Sequence, residues 1–445
     1  MSDLNTGPVT EAVSEACPLP EPRSAGSTPA ASSEGGVVVA AAGPDTAAAR
    51  VEMVGRLEES GDLGAGPVRD ALLILRREVL MRQAYVRRSD PDELPPRWEL
   101  LDWARPEDRD ELCRLLHSGD SVPVQHAGEP LLGRSPGVRS GGPMTAMSST
   151  MGMTAGLMNV LDLRPGQRVL DVGTGAGVTA GVMCFVCGDD GVVTLDVDQH
   201  VGDAVRASLA ALGYRPTVVT GDGRDGWPAR AGYDRIFVSF AVPSIPPALV
   251  DQLAPGGLAL MTVATSSPSW PGLAVITKSA TGQVHAELCA VEFGHRAGTG
   301  IEGFEQVFLS AEFRKQIAAG GGRWTRRSRL VPPSVTDRGA WLALGALRPG
   351  LVRDYGAEDL TIGAPSCGSW MRARPAGTGR WKVTVDGPRD IWAELHEVAA
   401  LWRAAGSPST YRIDIGSSGA QQVTTTGGHL SWVLPAPSPT PGEAP

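Results

Sequence analysis

The chain has 445 residues, enough for two or three domains and a sizeable core, so it does not need disulfide or metal staples to fold. Its formal net charge of −9 argues against nonspecific capture of nucleic acid or of an anionic membrane. The start, MSDLNTGPVTE, lacks a basic region followed by an apolar run, no apolar stretch approaches the roughly 18 residues that cross a bilayer, and six scattered cysteines suit reduced thiols, so a cytoplasmic protein is expected.

Residues 1–45 are rich in Ala, Gly, Ser, Pro and Glu and cannot bury enough surface to offset chain entropy, which predicts a disordered leader. A helical region is expected over 46–144. AAARVEMVGRLEES forms one helix. VRDALLILRREVLMRQAYVRR forms a longer one, with Val68, Leu72, Leu75, Val79 and Tyr85 facing a core, and Pro106 to His117 form a third. Residues 121–147 read as loop or short strand. Then SSTMGMTAGLMNVLDL sets hydroxyls before an apolar helix, so the local reading of Ser148, Ser149 and Thr150 is a helix cap.

From Gln167 to about Phe293, strand and helix patterns alternate, the signature of an open α/β sheet. Strands are expected near 168–172, 191–197, 216–220, 234–240 and 257–263, with a helical stripe of Val201, Val205, Leu209 and Leu212 after the second. LAVITKSATGQVHAELCAVEF then reads as two antiparallel strands.

The first strand ends in VLDVGTGAG. Gly173, Gly175 and Gly177 let a ligand approach the backbone closely, and the following helix offers unpaired N–H groups. The third glycine falls one position early for the dinucleotide pattern GxGxxG, and Asp171 suits a cationic ligand better than a pyrophosphate; S-adenosylmethionine carries a sulfonium and an ammonium. Asp196 ends the second strand about twenty residues later and is placed to accept from two ribose hydroxyls, with Asp198 the alternate and a helix N-cap the competing reading. Asp222, in Gly221-Asp222-Gly223, could accept an adenine amino proton, the glycines leaving room for the ring. Three acids ending three neighbouring strands point into one crevice.

These residues resemble the protein-L-isoaspartate O-methyltransferase family. The resemblance runs from about Thr145 to Ala264, through VLDVGTGAG, GVVTLDVD, GDGRDGWPARAGYDRIFVS and IPPALVDQLAPGGLALM. It implies a class I methyltransferase (Rossmann-like) fold using S-adenosyl-L-methionine, with Asp171, Gly173, Thr174, Gly175 and Gly177 at the methionine end, Asp196 at the ribose, and Asp222 and Gly223 at the adenine. It implies that Ser148, Ser149 and Thr150, in the position of a T-x-S-x-P segment, lie beside an aspartyl or isoaspartyl carboxylate of a peptide or protein substrate. Gly152 stands where the family has proline, and Met261-Thr262 ends a strand that usually ends in proline. The chain also looks like a longer branch associated with bacterial ribosomally made peptides, in lanthipeptide and ATP-grasp pathways, where an aspartate is esterified on the way to aspartimide or isoaspartate. Isoaspartate repair, small-molecule methylation and a noncatalytic cofactor-binding scaffold are the competing readings.

Methyl transfer to a carboxylate needs alignment and exclusion of water, and no general base. Cys184 and Cys187 form a CxxC without a second ligand pair, which favours core thiols over a metal, and His200 reads as a solvated helix-start residue. Residues 296–435 carry seven of the eleven tryptophans and read as a C-terminal α+β domain that binds peptide or pairs two subunits. Its strands are KVTVDG, TYRIDIG and QQVTTTG, and its helix carries Leu395, Val398 and Leu401 on one stripe; the basic RWTRRSR reads as a solvated loop, with a receptor for an acidic leader peptide as the alternative. The proline-rich end from Ala436 reads as a disordered tail.

Overall fold

The computed structural model describes residues 44–90, 93, 95–265, 267, 272–291, 309–319, 321–354, 359–416 and 419–436. The expected disordered leader and tail, apart from Pro44, Asp45 and Ala436, lie outside the described residues.

The N-terminal region is mixed rather than helical. Thr46–Glu59 is a helix capped by the Asp45 carboxylate, which accepts from the amides of Ala47 and Ala48. The long helix expected next is broken. Pro67–Ile74 is helical, Leu75 turns to an extended conformation, and only Arg77–Leu80 resumes the helix. The rest becomes strand β1 (Gln83–Arg87), because Tyr85 and Val86 pair across to Leu100 and Glu99 of β2 (Arg97–Asp102). Val68, Leu72, Leu75 and Tyr85 are buried as expected, Val79 only partly. The third helix stands at Arg109–Leu116 behind a short 3-10 turn starting at Pro106. Strands β3 (Val122–His126) and β5 (Met144–Ser148) pair antiparallel, and β4 (Gly137–Ser140) joins β2.

The central sheet begins with β6 (Val169–Val172), β7 (Val192–Asp196) and β8 (Thr217–Thr220), followed by β9 (Tyr233–Val242) and β10 (Leu253–Val263). These five are parallel in the order β8-β7-β6-β9-β10. The antiparallel finish is β11 (Gly272–Lys278) and β12 (Val284–Ala290). Successive side chains alternate between two cores, as strand geometry requires. Val169, Phe237, Leu258 and Leu260 face the N-terminal helices and the helices Met151–Val160 and Val178–Cys187. Leu170, Ile236, Val238, Ala259 and Met261 face the C-terminal segment. Both faces are covered, which explains why these strands read as continuous apolar runs.

The C-terminal segment continues this sheet. Its strands β13 (Trp324–Ser328), β14 (Val352–Asp354), β15 (Leu360–Ala364), β16 (Ser369–Pro375) and β17 (Trp381–Asp386) form a separate five-stranded sheet. However, β18 (Thr410–Ile415) pairs with β12, and β19 (Gln421–Thr424) and β20 (Ser431–Val433) extend the central sheet to ten strands. Trp341, Trp392, Trp402 and Trp432 are buried in the core shared with the parallel strands. On the helix Ile391–Ala404, Leu395 and Val398 face that core, whereas Leu401 turns outward. The basic RWTRRSR is an edge strand rather than a loop, pairing with β17, and Arg326 stacks 4.2 Å over the Trp324 ring.

Candidate active site

The carboxyl ends of β6, β7, β8 and β9 open into one cleft of about 670 Å³, a size suited to a small ligand. Its lining includes Gly173, Thr174, Gly175, Asp196, Asp222 and Gly223. The far wall is the end of β5 and the start of the Met151–Val160 helix, with Ser148 and Ser149 reaching the same space.

The glycine loop is held from both sides. Gly175 has φ +51°, and a Cβ on it would lie 2.7 Å from the backbone oxygen of Met147, so the loop and the end of β5 touch only because that side chain is absent. Gly177, at φ +77°, stands at the N-cap of Val178–Cys187 and offers no side-chain cap, so the first amides of that helix are left to a ligand or solvent.

Asp171 is not in the lining. Expected against a cationic ligand, it lies beneath the loop, fully buried, accepting from Thr194 Oγ1 at 2.8 Å and Thr179 Oγ1 at 3.0 Å. Thr174 Oγ1 meets Thr194 Oγ1 at 2.7 Å, which joins the loop to this buried acid. Burial pushes the Asp171 carboxyl up to about 7, against the opposing effect of the two threonine hydroxyls. The residue therefore supports the loop from below, because a strand whose four residues are all buried turns its third side chain into the protein.

Of the two acids, Asp198 and not Asp196 takes the cap. Asp198 is the helix cap: it accepts from the His200 amide at 2.8 Å and from Gln125 Nε2 at 2.7 Å. Asp196 accepts from the Asp198 amide at 3.0 Å and from the Gly175 amide at 3.3 Å, and burial raises its carboxyl above the usual range. Asp222 is already engaged by Arg224, whose Nη2 donates to Oδ2 at 2.6 Å and whose charge and hydrogen bonds hold the carboxyl below its usual range.

The hydroxyl segment does not act as a cap. Thr150 occupies the N-cap position of Met151–Val160, but its side chain makes no capping bond; its carbonyl accepts from Thr154 Oγ1, and Thr150 is not part of the cleft lining. Ser148 is buried at the end of β5 and accepts from Arg77 Nη2 at 3.2 Å. Gly152, the departure from the family proline, is explained by packing. A Cβ there would lie 2.6 Å from Asp62 Oδ2, so a carboxylate from the N-terminal region takes that space.

Among the lining residues that sequence reasoning missed are Ser239 and Phe240. The register of β9 against β10 skips between Val238 and Ala241, which turns Ser239 and Phe240 out over the loop. Ser239 Oγ donates to the carbonyls of Val172 and Gly173, and a Cβ on Gly223 would meet Val172 at 2.6 Å and the Phe240 ring at 3.2 Å. The available signal was that a fourth strand ends in the same crevice.

Cys184 and Cys187 are both buried, and burial pushes the Cys187 thiol up to about 11 and Cys184 further. His200 is exposed. Among the described residues there is no cluster of three or more His, Cys, Asp or Glu that could hold a metal ion, and no helix long and apolar enough to cross a membrane.

The family model for protein-L-isoaspartate(D-aspartate) O-methyltransferase matches residues 140–293. A protein-L-isoaspartate O-methyltransferase of Ignicoccus hospitalis is 38% identical over 143 residues, 32% of this chain and 67% of the relative. Protein-L-isoaspartate O-methyltransferase 2 of Archaeoglobus fulgidus is 39% identical over 134 residues, 30% of this chain and 60% of the relative. A solved protein-L-isoaspartate O-methyltransferase aligns over 86% of this chain and 98% of its own, with 18% identity and a TM-score of 0.43. The chain thus spans about three fifths to two thirds of the length of these curated relatives.

Proposed function

The chain belongs to the protein-L-isoaspartate O-methyltransferase family, and from that premise we propose that it transfers a methyl group from S-adenosyl-L-methionine to an aspartyl or isoaspartyl carboxylate of a peptide or protein. The observation that carries this reading is the convergence of the glycine loop, Asp196, Asp222, Ser148 and Ser149 on one cleft. Its donor set fits the proposed methyl donor. Loop amides and Thr174 suit the methionine end, Asp196 has the acceptor oxygens two ribose hydroxyls require, and Asp222 with Arg224 offers an acceptor and a donor to adenine beside Gly223.

When bound, the donor supplies an electrophilic methyl on a sulfonium. The protein has to present a carboxylate oxygen in line with it and keep water out. Ser148 and Ser149 can each donate one hydrogen bond to the acceptor carboxylate, orienting its second oxygen without competing as strong nucleophiles. Met144, Met147, Met153 and Leu157 give that wall an apolar surface, so water is displaced and the polar contacts are strengthened. A carboxylate is ionised at neutral pH, so no base is needed. An ester of this kind closes to an aspartimide by attack of the following backbone nitrogen, with loss of methanol.

The finer reading is maturation of a ribosomally made peptide rather than repair. It is supported by the remodelled acceptor rim, where Asp62 stands against Gly152, and by a C-terminal segment fused onto the central sheet. Mass spectrometry after incubation with S-adenosylmethionine, an isoaspartyl test peptide and an aspartate-containing precursor encoded nearby tests both levels. One added methyl on the precursor, followed by loss of methanol, supports maturation; methylation of the isoaspartyl peptide alone supports repair. Donor binding without transfer to either contradicts the enzyme reading.

A further inference from the structure

Arg77 lies outside the residues that the family model matches, yet its side chain ends at the acceptor wall of the cleft. It is 1% exposed. Its Nε donates to the carbonyl of Leu116 at 2.6 Å, Nη1 meets the Met151 thioether, and Nη2 donates to Ser148 Oγ at 3.2 Å. The adjacent Glu78 pairs with Arg50 instead, at 3.4 Å, and no carboxylate balances Arg77 among the described residues. A buried guanidinium without a counter-charge is costly, and burial pushes this one down only to about 10, so it stays charged at neutral pH.

The chemistry of the contact fixes a direction. A guanidinium only donates, so Ser148 must accept from it, and the single hydroxyl proton of Ser148 is left to point elsewhere. In the described structure it goes to the carbonyl of Ser149 over a long 3.4 Å, a weak bond that an incoming carboxylate can replace. We infer that Arg77 is a positioning residue that makes the cleft select a carboxylate acceptor over the corresponding amide, by holding Ser148 as a donor and placing an unbalanced cation behind it. An amide can accept from Ser148 only through its neutral carbonyl oxygen and gains nothing from the charge, so the discrimination comes from the unbalanced cation, which strengthens the Ser148 hydroxyl's bond to an ionised oxygen. This rests on the carboxyl-methyltransferase reading.

The test is equilibrium binding to the full chain, saturated with S-adenosylhomocysteine, of a fluorescent isoaspartyl peptide and of the same peptide with its side carboxylate converted to amide. The expected result is a preference for the carboxylate of about tenfold or more, as a charge-assisted hydrogen bond provides. Arg77→Met and Ser148→Ala should each remove it, and the double variant should be no worse than Arg77→Met, because both residues act as one unit. S-adenosylhomocysteine affinity should stay within about twofold throughout, since neither residue is expected to touch it. Arg77→Lys keeps the charge without the fork and should retain about a third of the preference. If Arg77→Met fails to fold, Arg77→Lys and Ser148→Ala decide, and an unchanged preference in both overturns the proposal. So does a wild type without preference, or an Arg77→Met variant that weakens both peptides and S-adenosylhomocysteine alike. Preference without methyl transfer keeps the Arg77 role and rejects the methyltransferase reading; transfer without preference does the reverse.

Discussion

The two walls of the cleft are built in different ways. The donor wall comes from one run of chain, Val169 to Gly223, in which each strand delivers its last residues to the same edge of the sheet. The wall proposed for the acceptor is assembled from distant pieces: Ser148 from β5, backed by Arg77 and Asp62 from the N-terminal region. Local backbone geometry fixes the first wall, and tertiary packing fixes the second. Change in substrate is therefore expected to arise on the acceptor wall while the donor wall stays constant.

The sharpest way to break the donor wall is Gly175→Ala. The added Cβ meets the Met147 carbonyl, so the loop must move, and affinity for S-adenosylhomocysteine in a calorimetric titration should fall by roughly 100-fold or more. Asp196→Ala should follow, with a loss of about 10- to 100-fold in the same titration, from removal of a carboxylate acceptor. A donor affinity unchanged in both variants would remove the glycine loop and Asp196 from the ligand site.

Asp171 separates support from contact. Its folded-state value of about 7 lies above the ordinary carboxyl value, so the folded protein holds this proton more tightly than the unfolded chain. Its contribution to stability is full below about pH 4 and is lost as pH rises through about 7. Denaturant titrations from pH 4 to 8 should therefore show wild type losing about 4 kcal/mol relative to Asp171→Asn, which cannot titrate. Parallel profiles would mean that the acid is not buried as described. The smallest effect belongs to Gly152→Ala, expected to cost about 1 kcal/mol in the wild type and less in an Asp62→Ala background, because the clash is with a movable carboxylate. Equal costs in the two backgrounds would dissociate Gly152 from Asp62.

The same contrast explains what could be read in advance. The five parallel strands, their antiparallel finish and the three acids at strand ends follow from periodicity and turn residues close in sequence. Which of Asp196 and Asp198 caps the helix did not, since both precede it by a few residues; nor did the contact of the capping Asp198 with Gln125, 73 positions away. Asp171 borders the glycines and on sequence reads as a ligand residue, but the alternation of a strand buried on both faces sends it inward. The long helix failed at Leu75 because pairing of Tyr85 and Val86 with β2 outweighs helix propensity, and that break is what aims Arg77 at Ser148. The C-terminal strands gave no sign that three of them would extend the central sheet, since a partner strand some 120 residues away leaves no local pattern.

The central claim is that these two walls bring a methyl donor and a peptide carboxylate together. The most direct measurement is multiple-turnover transfer from methyl-labelled S-adenosylmethionine to peptides carrying aspartate, isoaspartate or the matching amide. The account predicts base-labile label on a carboxylate peptide, exceeding the amount of protein and absent from the amide and from reactions with Gly175→Ala. Tight donor binding with no label on any carboxylate would contradict it.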